Sequence, residues 1–190
     1  MNNVNNTTKL PTNYVLSQKI DLKKDNKLSL LIQIIFILIA VIFVGFAIIF
    51  KLPIKNEFNA FKNIVITVGL VFLYMIVHEL THGVFIKFLS KEKPMYTFRF
   101  PFLTTGSNVY FNKRSFIIIA LAPVIVWGII LLLALFVVPQ YLFMSIYIVL
   151  GLNFAGSAGD YIQVVSFSKL SNTTLLHDDG NKTSVYSLKN

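Results

Sequence analysis

Two histidines four residues apart, with a glutamate after the first, can hold a metal ion and work on a water beside it. The chain carries that pattern at His78-Glu79-Leu80-Thr81-His82. On a helix, positions i and i+4 share a face, so two imidazole nitrogens reach one ion. Glu79 lies about 100° around from His78, placed to handle a water rather than to bind the metal. The flanks are GLVFLYMIV and GVFIKFL. Three ionisable groups in such an apolar setting cost several kcal/mol unless a partner or a metal offsets them.

A hydrolytic zinc site uses three protein ligands and keeps one position open. The other apolar stretches offer one acidic residue, Asp160, within GLNFAGSAGD at 151–160. The centre of the histidine motif lies about 12 Å from one end of its span, and Asp160 about 10 Å from the matching end of another. The two groups therefore fall in one layer, and Asp160 is the candidate third ligand. As a helix-end residue, it would instead reach the membrane interface. Asn153, Gly156, Ser157 and Asp160 share one helical face, and the small residues beside them allow close helix approach. Asn153 has two uses open to it: hydrogen bonding to a substrate backbone or oxyanion, and an interhelical hydrogen bond. His177-Asp178-Asp179, followed by Gly180-Asn181, reads as the turn of a hairpin returning through Ser184-Val185-Tyr186, rather than as a second metal cluster.

The elements that must position these groups are membrane helices. The 190-residue chain is 55% hydrophobic and 13% charged, with a mean hydropathy of +0.70. That composition excludes an ordinary soluble domain. With no cysteine, a metal site must use His, Asp or Glu. The pattern predicts an all-α polytopic membrane protein with four transmembrane helices and a short β-hairpin-like cytoplasmic loop. The spans are 28–50, 64–88, 116–138 and 141–167, with a polar segment at 1–27 and a tail at 168–190. Pro123 should kink the third span.

Counted with Lys87 in the loop it borders, the five non-membrane segments hold 5, 3, 6, 0 and 3 basic residues. The odd segments carry 14 of them against 3, so both termini and the long loop belong in the cytoplasm of a multi-pass cell-membrane protein. The net charge of +9 sits at span ends, where it answers lipid headgroups and not nucleic acid. In the long loop Tyr96, Phe98, Phe100 and Phe102 alternate with Thr97, Arg99, Pro101 and Leu103, a strand pattern with an edge at Pro101. Gly106-Ser107-Asn108 then turns into a return strand, Val109-Tyr110-Phe111. Such an edge would accept an extended substrate by strand addition; the alternative is an aromatic belt at the interface.

HELTHG at 78–83, Leu121-Ala122-Pro123, and NFAGSAGD at 153–160 resemble the putative zincin peptidase family, bacterial membrane proteins related to the site-2 protease group of intramembrane metalloproteases. The resemblance covers roughly residues 64–167, with Asp178-Asp179-Gly180 as a weaker addition. It implies a three-helix zinc-protease core with His78, His82 and Asp160 on Zn2+ and Glu79 as catalytic base, the first span being an addition outside it. Gly156 stands where the site-2 proteases carry proline, and Tyr161 follows the aspartate where they carry glycine.

The expected function is therefore zinc-dependent intramembrane hydrolysis of peptide bonds near the cytoplasmic face. The partners would be a membrane protein or peptide substrate and the lipid bilayer. Two other readings compete. A zinc peptidase with its site outside the membrane needs a glutamate ligand in a sizeable soluble domain, and the chain has three Glu in all. An inactive metal-binding scaffold or ion carrier would usually repeat its polar groups on several helices.

Overall fold

The computed structural model describes residues 4–22, 24–53, 60–99 and 102–189. Phe100 and Pro101 of the expected strand, and Glu57, lie outside them. Four helices are long and apolar enough to cross a membrane, joined by antiparallel strands gathered at one end.

Helix α1, Asn26–Ile49, starts where the Asp25 carboxylate accepts from the amides of Lys27 and Leu28. It stops at Lys51, which adopts a left-handed φ of 49°. Ile42, Ile48 and Ile49 are exposed on its surface, the composition a lipid-facing side requires. Helix α2, Ala60–Ser90, has 31 residues, about 46 Å of helix where the hydrocarbon layer needs about 30 Å. It begins four residues before the expected span and ends at Lys91, again left-handed at φ 65°. Helix α3, Lys113–Ala134, is capped by Asn112 accepting from the Ser115 amide, and it runs through Pro123 without a break.

The fourth span divides. Helix α4, Gln140–Gly156, and helix α5, Ala158–Ser168, are interrupted at Ser157. Gly156 is a weak helix former, and the Ser157 hydroxyl donates to the Asn153 carbonyl at 2.8 Å, competing with the backbone ladder there. The break puts Asp160 in the first turn of α5, where the helix dipole favours a carboxylate. Helices α2, α3 and α4 pack on one another, while α1 packs mainly on α4 and α5.

The strands form one layer at the end of the bundle. Strand β1, Tyr14–Ile20, pairs with β6, Thr183–Leu188; β6 pairs with β5, Leu175–Asp178; and β5 pairs with β4, Phe111–Asn112. The polar N-terminal segment thus includes an edge strand of the tail's sheet. A separate pair joins β2, Met95–Arg99, to β3, Phe102–Gly106. The long loop folds back earlier than the aromatic alternation implied: 102–106 is the return strand, and Phe111 pairs with Leu176 of the tail instead. Phe116, Ile119, Phe167, Leu176 and Val185 form the core between this layer and the helix ends. Both chain ends and the long loop therefore meet on one side of the bundle.

Candidate metal centre

Side chains from α2, α3, α4 and α5 build the site. His78 Nε2 lies 3.5 Å from Asp160 Oδ2, and His82 Nε2 lies 3.7 Å from Asp160 Oδ1. The three side chains are 13%, 12% and 20% exposed. Ligand atoms of His78, Glu79 and His82 fall within 4.8 Å of one another. The structure thus brings His78, Glu79, His82 and Asp160 together, although Asp160 comes from a different helix.

The protons on the two rings follow from their partners. His82 Nδ1 faces the Ile119 carbonyl at 2.9 Å. A carbonyl only accepts, so Nδ1 carries the hydrogen and Nε2 presents its lone pair. Ile119 is free to accept because Pro123, four residues on, has no N–H to give it.

The hydrogen on His78 is set by three linked hydrogen bonds. Asn153 Nδ2 donates to the Val124 carbonyl at 3.1 Å, which fixes the amide so that Oδ1 points to Tyr74. Tyr74 donates its one hydroxyl hydrogen to that oxygen at 2.8 Å. It must then accept from His78 Nδ1, 2.9 Å away. His78 Nε2 is left bare as well.

With both rings neutral, two lone pairs and the Asp160 carboxylate converge on one space. Electron-rich atoms so arranged call for a cation. The two spacings are also longer than a good hydrogen bond. They come close to the separation of about 3.4 Å between neighbouring ligands on an ion held tetrahedrally by bonds of about 2.0–2.2 Å. The donor set, imidazole nitrogens and carboxylate oxygen without thiolate, suits zinc.

Of the two uses open to Asn153, the structure shows the interhelical hydrogen bond. Its side chain is fully buried, and both of its polar ends are engaged. Tyr74 is the residue that sequence reasoning missed; it stands four before His78, on the same face.

Neighbouring strands complete the surroundings. Thr105 Oγ1 donates to the Glu79 carbonyl at 2.8 Å, pinning β3 to α2. A Cβ at Gly83 would collide with the Tyr96 hydroxyl from β2, so glycine there admits the phenol one turn beyond Glu79. Burial, and next the Glu79 carboxylate, hold that phenol above its usual pKa. Glu79, His82 and Asp160 open into a cavity of about 240 Å³ that also reaches Asp178 and Gly180 of the tail.

Asp178 accepts from the Gly180 amide and the Thr183 hydroxyl, each at 2.7 Å. Burial pushes its pKa up to about 6, against the pull of those two bonds. His177 faces Tyr110, with ring centres 5.0 Å apart. His177 and Asp178 end strand β5, and the hairpin turn lies at 179–182, with Gly180 at φ 85°.

A family model described as "Putative zincin peptidase" matches residues 71–175. The match takes in His78, Glu79, His82, Asn153 and Asp160, and leaves out α1 and Asp178. No curated protein matches the chain, and no solved structure does.

Proposed function

The chain belongs to the putative zincin peptidase family, and from that premise we propose that it is a zinc-dependent endopeptidase cutting membrane-embedded peptide chains near the cytoplasmic face. The observation that carries the reading is the meeting of His78 Nε2 and His82 Nε2 with the two oxygens of Asp160. His78, His82 and Asp160 would hold the ion. Zinc, when bound, supplies Lewis acidity and lowers the pKa of a water it carries.

Glu79 takes a proton from the water as its oxygen bonds to the peptide carbonyl carbon. The carbon–nitrogen bond then breaks, and Glu79 hands that proton to the leaving amine. A helical substrate hides its carbonyls in hydrogen bonds, so the segment cut must be unwound. The kinship with site-2 proteases is part of this proposal. It is supported by the mutual packing of α2, α3 and α4 around the site and by the apolar surface of α1. The basic-residue bias supports a cytoplasmic location for the end that carries the strands.

Replacing Glu79 by Gln and Asp160 by Asn, separately, tests the reading. Bound zinc and cleavage of membrane peptides are measured for each. Glu79→Gln is expected to keep zinc and lose cleavage by about a hundredfold or more. Asp160→Asn is expected to lose much of both. Cleavage that survives Glu79→Gln would falsify the role given to Glu79. Unchanged metal content in both variants would place the ion elsewhere.

A further inference from the structure

A second cavity, of about 300 Å³, opens on the other side of Glu79. Its walls include Phe36 of α1, Met75 of α2, Leu103 of β3, and Leu152 and Gly156 of α4, with His78 and Glu79 at the catalytic end. Among the described residues, Glu79 is the one that lines both this cavity and the polar one holding His82 and Asp160. The other polar side chain in the wall belongs to Tyr74, whose hydroxyl is already bonded to Asn153 and His78. Away from His78 and Glu79, the described side chains of the wall are apolar apart from Tyr74, so that part of the space suits an apolar guest. Met75 lends it a flexible, adaptable surface.

The cavity is also in line with the reacting groups. Strand β3 contributes Leu103 to the apolar cavity and Thr104, Thr105 and Gly106 to the polar one. An extended peptide following β3 passes Glu79 with a neighbouring side chain over the apolar space. The cavity is lined jointly by α1, α2 and α4 side chains, and α1 packs mainly on α4 and α5. Gly156 limits how far a guest can reach: it is exposed, and a Cβ built on it meets nothing within 4 Å. A side chain there grows into the cavity without a clash.

We propose that this cavity receives a large apolar side chain of the substrate beside the bond that is cut, and that Gly156 sets its depth. The inference rests on the peptidase reading above and adds to it the class of side chain selected.

The test uses the full chain loaded with zinc in detergent micelles. The probes are apolar single-span peptides with an unwound Gly-Ser segment near one end, in which the positions flanking the cut are varied in turn among Ala, Val, Leu and Phe. Leu or Phe at one flanking position should be cleaved about tenfold or more faster than Ala. Gly156→Leu should bring Leu and Phe cleavage down to the Ala rate or below, with the variant's zinc content measured alongside because Gly156 adjoins the break that places Asp160. An unchanged ranking, or an equal loss for all four, overturns the proposal.

A second measurement does not depend on turnover. A peptide carrying a photoreactive leucine should crosslink to Phe36, Met75 or Leu152 in zinc-loaded Glu79→Gln, and the crosslink should vanish when Gly156→Leu is added. A photoreactive phospholipid that labels these residues and is not displaced by excess peptide would assign the space to lipid and overturn the proposal. Crosslinking at the cavity without any wild-type cleavage would support the pocket and sink the peptidase reading instead.

Discussion

Tyr74 acts on the metal centre through one hydrogen atom. Its hydroxyl takes the His78 Nδ1 hydrogen and gives its own to Asn153, so it decides which face of the imidazole is bare. Tyr74→Phe keeps the ring and its packing but strands two buried polar groups. Zinc affinity, read by chelator competition, should fall about 10–100-fold, with a loss of stability of about 1–3 kcal/mol. An unchanged zinc affinity would mean that the relay does not orient His78. At this scale the sequence was informative where spacing alone carries meaning. His78, Glu79 and His82 announce themselves because two imidazoles at i and i+4 have few other uses within lipid. Asp160 could be singled out because it is the acid of an otherwise apolar span. Tyr74 could not, since a tyrosine in such a span looks like any interface or core aromatic until its partner across the bundle is known.

Pro123 shows how an element serves a site it never touches. Helix α3 is continuous through it, and one effect is local: the Ile119 carbonyl loses its intrahelical donor and accepts from His82. Pro123→Ala restores an N–H that competes for that carbonyl. Zinc affinity should drop several-fold, by less than for Tyr74→Phe, because a carbonyl has two lone pairs and can serve both. Chelator competition on the two variants side by side checks the order; equal affinity in Pro123→Ala and wild type would deny the carbonyl a role. The division of the fourth span was equally hard to foresee. Gly156, Ser157 and Gly159 are small enough to read as a helix-packing stripe, and the Ser157 hydroxyl's bond to the Asn153 carbonyl, which accompanies the interruption, is visible only in the structure. The number and order of the long apolar helices were legible, because each needs enough apolar residues to cross a membrane.

Across the whole molecule, the pairing of distant segments was the least legible part. The tail hairpin could be read from Gly180 and its neighbours. That β1 joins it could not, because alternation within 14–20 is weak and its partner lies in the tail. The layer is held against β3 by a close approach: a Cβ at Gly106 would collide with the Asp179–Gly180 peptide, and the Ser107 amide donates to the Asp178 carbonyl at 2.8 Å. Gly106→Ala should push the hairpin away from β3, lower stability by about 1–3 kcal/mol, and speed protease cutting within 171–188. Thermal unfolding and limited proteolysis measure both; a tail as resistant as in the wild type would show that the strands yield without separating.

The pairing of β1 with β6 also sets an order of events during synthesis. The first strand must wait, with an unpaired edge, until the last has left the ribosome. Until then Phe111, Thr183 and Gly180 cannot jointly wall the chamber beside Glu79. A half-made copy therefore has an incomplete chamber, and the delay is the slow step expected when contacts span nearly a whole chain.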